Sequence, residues 1–222
     1  MKILGMGNAL VDILVKLDND SIIYDLGFPR GSMQLVDKLT SDNVLDRIST
    51  YHSQQSSGGS AANTIHGLAK LGITTGFIGK VGSDKLGDFF DSDLKAGGVK
   101  SHMLLSKTET GRAIALVSPD GERTFATYLG AAVELNAEDL RPEDFVGYDI
   151  LHIEGYLVQN HELMLQAVKL AKKNGLKVSL DLASFNVVDT NLEFLHDLVK
   201  KYVDILFANE EEAKSFTGKA PM

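Results

Sequence analysis

Asp12 is the first residue that needs explaining. It interrupts an otherwise apolar run at residues 9–15. An acid in a strand suited to burial is costly unless it is paired, exposed at a sheet end, or used. Farther on, QQSSGGSAANTIHGLAKLG at residues 54–72 passes from a polar, glycine-containing loop into an apolar helical repeat. Gly58 and Gly59 lack a Cβ, so a ligand can approach their backbone or the backbone can take φ > 0. Ser60 stands at the expected N-cap, and Asn63 falls in the first turn beside the free amides of the helix start. Asp12, Gly58, Gly59 and Asn63 together would suit a polyol. A carboxylate accepts two hydroxyl hydrogen bonds, an amide donates and accepts, and glycine lets a ring lie against backbone. The competing reading is that Asp12 caps a turn and Asn63 bonds within its own helix.

A second constellation is Asn209-Glu210-Glu211-Glu212, which opens a helix straight after VDILFA. Acids in a first helical turn ordinarily compensate the helix dipole. The alternative is that Asn209 and Glu212, one turn apart on one face, hold a hydrated Mg²⁺ beside phosphates, since magnesium usually keeps several waters.

Other chemistries are disfavoured. With no cysteine, thiolate nucleophiles and Cys-based metal sites are excluded. The six histidines are scattered without an HExxH pair. There is no G-x-S-x-G elbow and no Walker A sequence, and in GMGNALVD Leu10 stands where the third glycine of a dinucleotide fingerprint belongs. A net charge of −8 without a lysine-rich block argues against nucleic acid and anionic membrane as partners. No apolar run reaches the roughly eighteen residues of a membrane span. The start MKILGMGNALVDILV reads as a first strand and not a signal peptide, so the cytoplasm is the expected compartment.

The elements that must position these residues follow a strand–helix rhythm with two interruptions. Residues 2–6 and 9–15 read as an apolar strand broken at Gly7-Asn8, and 21–36 as a hairpin or two short strands. A helix over 41–52 is capped by Thr40, and a second covers 61–70. TTGFIGKVG is a core strand, followed by a helix that ends at Gly97-Gly98. Residues 112–129 form an antiparallel pair around Pro119-Asp120-Gly121, a strong hairpin signal. From 137 onward, helices at 137–145, 162–174, 193–202 and 210–217 alternate with strands at 148–153, 176–182 and 203–208. Right-handed crossovers make this a mostly parallel, three-layer α/β sheet, with ligands beyond the carboxyl ends of its strands. Asn8, Asp12, Asp181, Asn209 and the glycine stretch all fall near such ends.

These pieces resemble the ribokinase-like, or PfkB, family of carbohydrate and nucleoside kinases. The matching segments are GMGNALVDI at 5–13, GGSAANTIHGLAKLG at 58–72, FIGKVGSDKLGDFF at 77–90, SPDGERTF at 118–125 and NEEEA at 209–213. The resemblance implies a three-layer α/β/α ribokinase-like fold, with a small β lid made of segments near 14–36 and 99–129 that closes over the acceptor. It implies ATP and Mg²⁺ as cofactors, and a small-molecule sugar or nucleoside as acceptor. On these positions Asp12 corresponds to the carboxylate that grips acceptor hydroxyls, with Gly58, Gly59 and Asn63 completing the sugar site and Asn8 in support. Asn209 and Glu212 correspond to the NxxE pair that positions magnesium, through water at Glu212, and phosphate. Arg123 would support the lid or meet phosphate. SLDLASFNVVD at 179–189 leans toward the adenosine-kinase-like branch, where Phe185 would stack on a base; packing at a strand-to-helix turn is its other reading. The lid edges would either pair between subunits, as a homodimer, or stay covered within one.

One departure matters. The family pattern D-x-x-G-A-G-D, which carries the general-base Asp and the anion hole, does not occur. The chain therefore reads as an incomplete domain over 1–222, with its general base expected beyond residue 222 and no kinase activity of its own. The alternatives to a nucleoside or ribose acceptor are a fructose or phosphosugar acceptor, and a non-catalytic sugar- or nucleoside-binding module on the same scaffold.

Overall fold

The computed structural model describes residues 1–219. In chain order its regular elements begin with strands β1 (Lys2–Met6) and β2 (Leu10–Lys16), helix α1 (Ser21–Asp25), β3 (Met33–Leu35), α2 (Lys38–Arg47) and β4 (Ser53–Gly58). They continue through α3 (Ser60–Lys70), β5 (Thr74–Gly82), α4 (Lys85–Ala96), β6 (Val99–Ser106), β7 (Thr110–Val117) and β8 (Arg123–Gly130). After a run of 3₁₀ turns come β9 (Ile150–Ile153), α5 (His161–Lys173), β10 (Lys177–Asp181), α6 (Phe185–Thr190), α7 (Leu192–Tyr202), β11 (Ile205–Phe207) and α8 (Glu210–Thr217). No helix among the described residues is long and apolar enough to cross a membrane.

Strand parity builds the layers. Side chains alternate across a strand, so Leu4, Met6, Leu151, Ile153, Val178 and Leu180 gather on one face with α5 and α7. Ile3, Phe77, Val99 and Ile150 gather on the other, under α3 and α4. The sheet between them is wholly parallel, in the order β11-β10-β9-β1-β5-β6. The chain leaves β1 toward β5 and β6 on one side and toward β9, β10 and β11 on the other. The switch point is therefore the carboxyl end of β1, where such sheets open a crevice for ligands.

A second, five-stranded sheet runs β3-β8-β7-β2-β4 and mixes parallel and antiparallel pairs. Its buried face supplies Val11, Ile13, Val15, Ile114, Leu116 and Ala126 to the same apolar cluster that holds Phe77, Phe90 and Leu94. The two sheets thus share a core.

Several local expectations shift. Residues 2–6 and 10–16 belong to different sheets and are not one broken strand, because Gly7-Asn8-Ala9 turns the chain from the first sheet to the second. Residues 21–36 form a short helix and a strand, not a hairpin. Helix α2 begins at Lys38 and its cap is Asp37, whose carboxylate accepts from the Thr40 amide at 2.8 Å; Thr40 lies inside the first turn. The 112–129 hairpin forms as expected, and the 137–145 segment makes two 3₁₀ turns in place of a helix. Residues 99–106 join the parallel sheet beside β5, so the part of the 99–129 segment that enters the second sheet starts at Thr110. Residues 53–58, read as a loop, are an edge strand paired with β2. Their polar composition suits an edge open to water.

Phe90 is fully buried in the shared cluster. Phe90→Ala is expected to cost about 3–5 kcal/mol. Thermal unfolding should remain one transition at a lower midpoint; two separate transitions would show that the sheets do not share a core.

Candidate functional site

Asp12 lies on the open face of the second sheet. Residues opposite one another across paired strands share a face, so the pairing defines a row across all five strands: Leu35, Thr127, Ala113, Asp12 and Ser56. The next row is Met33, Phe125, Ala115, Leu14 and Gln54. Leu35 is 64% exposed and Met33 50% exposed, so the face is partly uncovered, and in these two rows Asp12 is the single charged side chain among apolar and neutral polar ones. Burial raises the Asp12 pKa to about 6, and no accepted hydrogen bond from the described residues offsets it. The carboxylate therefore retains its acceptor capacity.

Gly58 and Gly59 fit closely beneath it. A Cβ on Gly58 would overlap the Asp12 carboxylate, and one on Gly59 would overlap the Asn8 carbonyl oxygen. Gly59 also has φ 99°, which only glycine adopts at low cost. It is the N-cap of α3, so Ser60, expected at that position, is the first helical residue. The Asn63 amide donates to the Gly59 carbonyl at 2.9 Å, and the residue is exposed. Asn8 is 7% exposed and gives its side-chain amide to Glu154, 2.6 Å away.

Glu154 went unnoticed in the sequence. It follows β9, is 2% exposed, and accepts from Asn8 with one oxygen and from the Ala61 amide with the other at 3.3 Å. It therefore caps the first turn of α3 from a different strand. Burial pushes its pKa up, and hydrogen bonds from the Ala61 amide, Asn8 and Ser60 oppose that without cancelling it. An acid directly after the apolar run ILHI was the available signal, of the same kind as Asp12.

Farther along the strand ends, Tyr156 stands near Glu154, Asp181 and Glu212. Its hydroxyl pKa is raised by burial first and then by these three acids. Between Asp181 and α6, Ala183 takes φ 66°, and the Ser184 amide closes a tight turn onto the Leu182 carbonyl at 2.8 Å.

The Asn209–Glu212 pair forms a reciprocal capping box at the start of α8. The Glu212 amide donates to the Asn209 side chain at 2.9 Å, while the Glu212 carboxylate accepts from the Asn209 amide at 3.0 Å and from its side chain at 2.8 Å. Glu212 is 5% exposed with both oxygens engaged. Among the described residues no group of three His, Asp or Glu side chains could hold a metal ion. The pair therefore does not fit direct ligation of Mg²⁺. Phe185, 43% exposed, opens α6 and borders a cleft of about 390 Å³ with Asp189, Glu211, Lys214 and Ser215. The structure thus gives Phe185 neighbours on α8, while Asn8, Asp12, Gly58, Gly59 and Asn63 converge around the start of α3. Arg123 lies exposed at the start of β8, next to the hairpin turn.

Two outcomes follow from this geometry. The native state holds a proton on Asp12 up to about pH 6, above the ordinary 3.8, so the Asp12 contribution to stability is lost as pH rises between these values. Asp12→Asn should remove that slope and raise stability at pH 8 by roughly 1–3 kcal/mol, read from urea unfolding across pH. Gly58→Ala should destabilise the native chain, and Gly58→Ala in the Asp12→Ala background should recover much of that loss, because the clash is with the Asp12 carboxylate. Additive effects in that double-mutant cycle would rule the clash out.

Comparison with known proteins places the chain in a family. The family model for the pfkB family carbohydrate kinases matches residues 34–221. The chain is similar to the guanosine-inosine kinase of Escherichia coli (strain K12), with 27% identity over 98% of this chain and 53% of that protein. It is similar to the 5-dehydro-2-deoxygluconokinase of Clostridium perfringens, with 30% identity over 72% of this chain and 51% of that protein. Among solved structures it resembles the adenosine kinase from Sinorhizobium meliloti, with 33% identity and a TM-score of 0.84 over 98% of this chain and 68% of that one. The chain spans about half the length of these curated relatives. With its parallel sheet, its second sheet and the glycine-lined start of α3, the chain belongs to the pfkB family of carbohydrate kinases.

Proposed function

We propose that the whole protein is an ATP-dependent phosphotransferase that phosphorylates a hydroxymethyl group of a nucleoside or sugar, and that this chain carries its acceptor site. The observation that carries this reading is Asp12, a half-buried carboxylate with unused acceptor capacity among apolar and neutral polar neighbours. It would accept from two acceptor hydroxyls, with the ring against the Gly58 and Gly59 backbone and Asn63 at the rim. Asn8 would act indirectly, by holding the turn beneath Gly59 through Glu154.

The apolar rows beside Asp12 favour a nucleoside over an open polyol. Leu14, Leu35, Met33 and Phe125 offer area for a flat base next to the group that would take the ribose hydroxyls. Phe185 stacking on a base is a separate element of the nucleoside reading. The relatives named for guanosine-inosine and adenosine support a nucleoside, and the one named for 5-dehydro-2-deoxygluconate supports a sugar-derived acceptor.

Transfer itself needs the γ-phosphoryl of ATP, charge neutralisation and removal of one hydroxyl proton. Mg²⁺ would supply part of that neutralisation, and Asn209 and Glu212 would meet it only through water. The general base is assigned outside these residues, because the D-x-x-G-A-G-D pattern is absent from them. The second reading is a non-catalytic sugar- or nucleoside-binding module on the same scaffold.

The 222-residue chain is expected to show no ATP-dependent turnover, and a form extended to the length of its relatives is expected to show it. Turnover by the short chain at the rate of the extended form would overturn the assignment of the base. In the extended form, adenosine should raise the melting temperature more than ribose or fructose, and Asp12→Asn should abolish the shift. An absent adenosine shift sinks the nucleoside reading. Acceptor binding without turnover in the extended form would favour the binding module.

A further inference from the structure

The segment IGKVGSDKLG at residues 78–87 is a strong sequence feature that the acceptor site leaves unused. It covers the end of β5 and the start of α4, and it meets the chain where it crosses from the first sheet into the second. That crossing is residues 107–109, between β6 and β7.

The contacts at the crossing are saturated. One oxygen of Asp84 accepts the Gly87 amide at 2.9 Å, which caps α4, and the Thr110 hydroxyl at 2.8 Å. Its other oxygen accepts the Thr110 amide at 2.7 Å. The Thr110 hydroxyl in turn accepts the Gly82 amide at 2.9 Å, and Thr110 is fully buried. Each polar atom in the set is used, so sliding β7 along this contact would leave buried groups unpaired.

Sterics close the remaining freedom. A Cβ on Gly82 would collide with the Thr108 carbonyl, the Asp84 carboxylate and the Thr110 amide, and a Cβ on Gly87 would overlap the Gly82 carbonyl. The G-S-D-x-x-G spacing is therefore what lets the end of β5, the start of α4 and the first residue of β7 meet. The return crossing is tied at the same place, through the Ala131 amide to the Glu109 carbonyl at 2.8 Å and the pairing of Thr110 with Gly130.

Thr110 is the first residue of β7, the central strand of the second sheet. Three residues on, Ala113 pairs directly with Asp12. Through β7 and β2, Thr110 is thus linked to Asp12, while the pairing of β2 with β4 holds Gly58 beside Asp12 directly and Asn63 rides on the first sheet through α3.

We propose that Asp84, together with Thr110, Gly82 and Gly87, is a positioning device that fixes how the five-stranded sheet sits over the first sheet, and so where the Asp12 carboxylate stands. Asp84 touches no acceptor in this arrangement and acts through Thr110. The inference deepens the proposed acceptor site and rests on that reading only for its functional consequence.

The chain contains no cysteine, so spin labels can be attached at Lys16→Cys, at the exposed end of β2, and Lys173→Cys, at the end of α5, to measure the distance between the two sheets' layers. The labelled parent should give a single narrow distance distribution. Thr110→Val, which keeps shape and removes the hydroxyl, and Asp84→Asn should lose that single narrow peak. Thr110→Ser should restore it, and Asp197→Asn, on the exposed surface of α7, should leave it unchanged. Circular dichroism selects folded variants, and Thr110→Val carries the test if Asp84→Asn unfolds. An unchanged distribution in folded Thr110→Val overturns the proposal, and so does failure of Thr110→Ser to restore it. The measurement needs no acceptor, so it can fail while the phosphotransfer reading stands. In the extended form, Thr110→Val should also raise the acceptor KM several-fold more than it lowers kcat.

Discussion

The Glu154 carboxylate is the interaction on which the site's construction depends. It joins three parts of the chain distant in sequence: the turn after β1 through Asn8, the first turn of α3 through Ala61, and the end of β9 that carries it. An acid with this little exposure is tolerated because donors surround it. Its cost is real, as the upward pull of burial on its pKa shows. The result is that the Gly58-Gly59 backbone, whose glycines leave no room for a side chain, is held against both Asn8 and Asp12. Asp12 and Glu154 divide the work. One carboxylate is spent on internal donors, and the other retains its accepting capacity.

That arrangement needs the two sheets to sit in one relation. The shared apolar cluster brings them together, but hydrophobic contact is non-directional. Direction comes from polar contacts at the crossings, above all the Asp84–Thr110 set. The buried guanidinium of Arg112 adds another link two residues along β7. It donates to Ser41 at 2.7 Å, pairs with Asp42, and lies over the Tyr128 ring, so that α2 is fastened to the second sheet. Apolar burial thus supplies cohesion, and a few saturated polar groups supply geometry.

Much of the first sheet was legible in the sequence because short apolar runs and helix stops such as Gly97-Gly98 are local signals. The hairpin at Asp120-Gly121 was equally local. The misread elements have a common cause. Ser53–Gly58 is polar and carries no apolar alternation, so its strand pairing with β2 exists only because β2 offers an edge. Residues 99–106 look like lid from their neighbours in sequence, yet β5 claims them as the next parallel strand. Ser60 has the chemistry of an N-cap, but the positive φ of Gly59 places the cap one residue earlier.

By itself the sequence determined the class of fold, the candidate residues Asn8, Asp12, Gly58, Gly59 and Asn63, and the membership that the family model confirms. These rest on residue types and spacings that survive without coordinates. Only the tertiary structure decided which partners those residues have. It assigned Asn209 and Glu212 to a capping box, because their hydrogen bonds close on each other. It set Phe185 against α8, and it revealed Glu154, whose role depends on two elements more than ninety residues away in sequence. Spacing along a chain specifies what a residue can do. Whether its hydrogen-bonding capacity is spent inside the protein or left for a ligand depends on what folding packs against it.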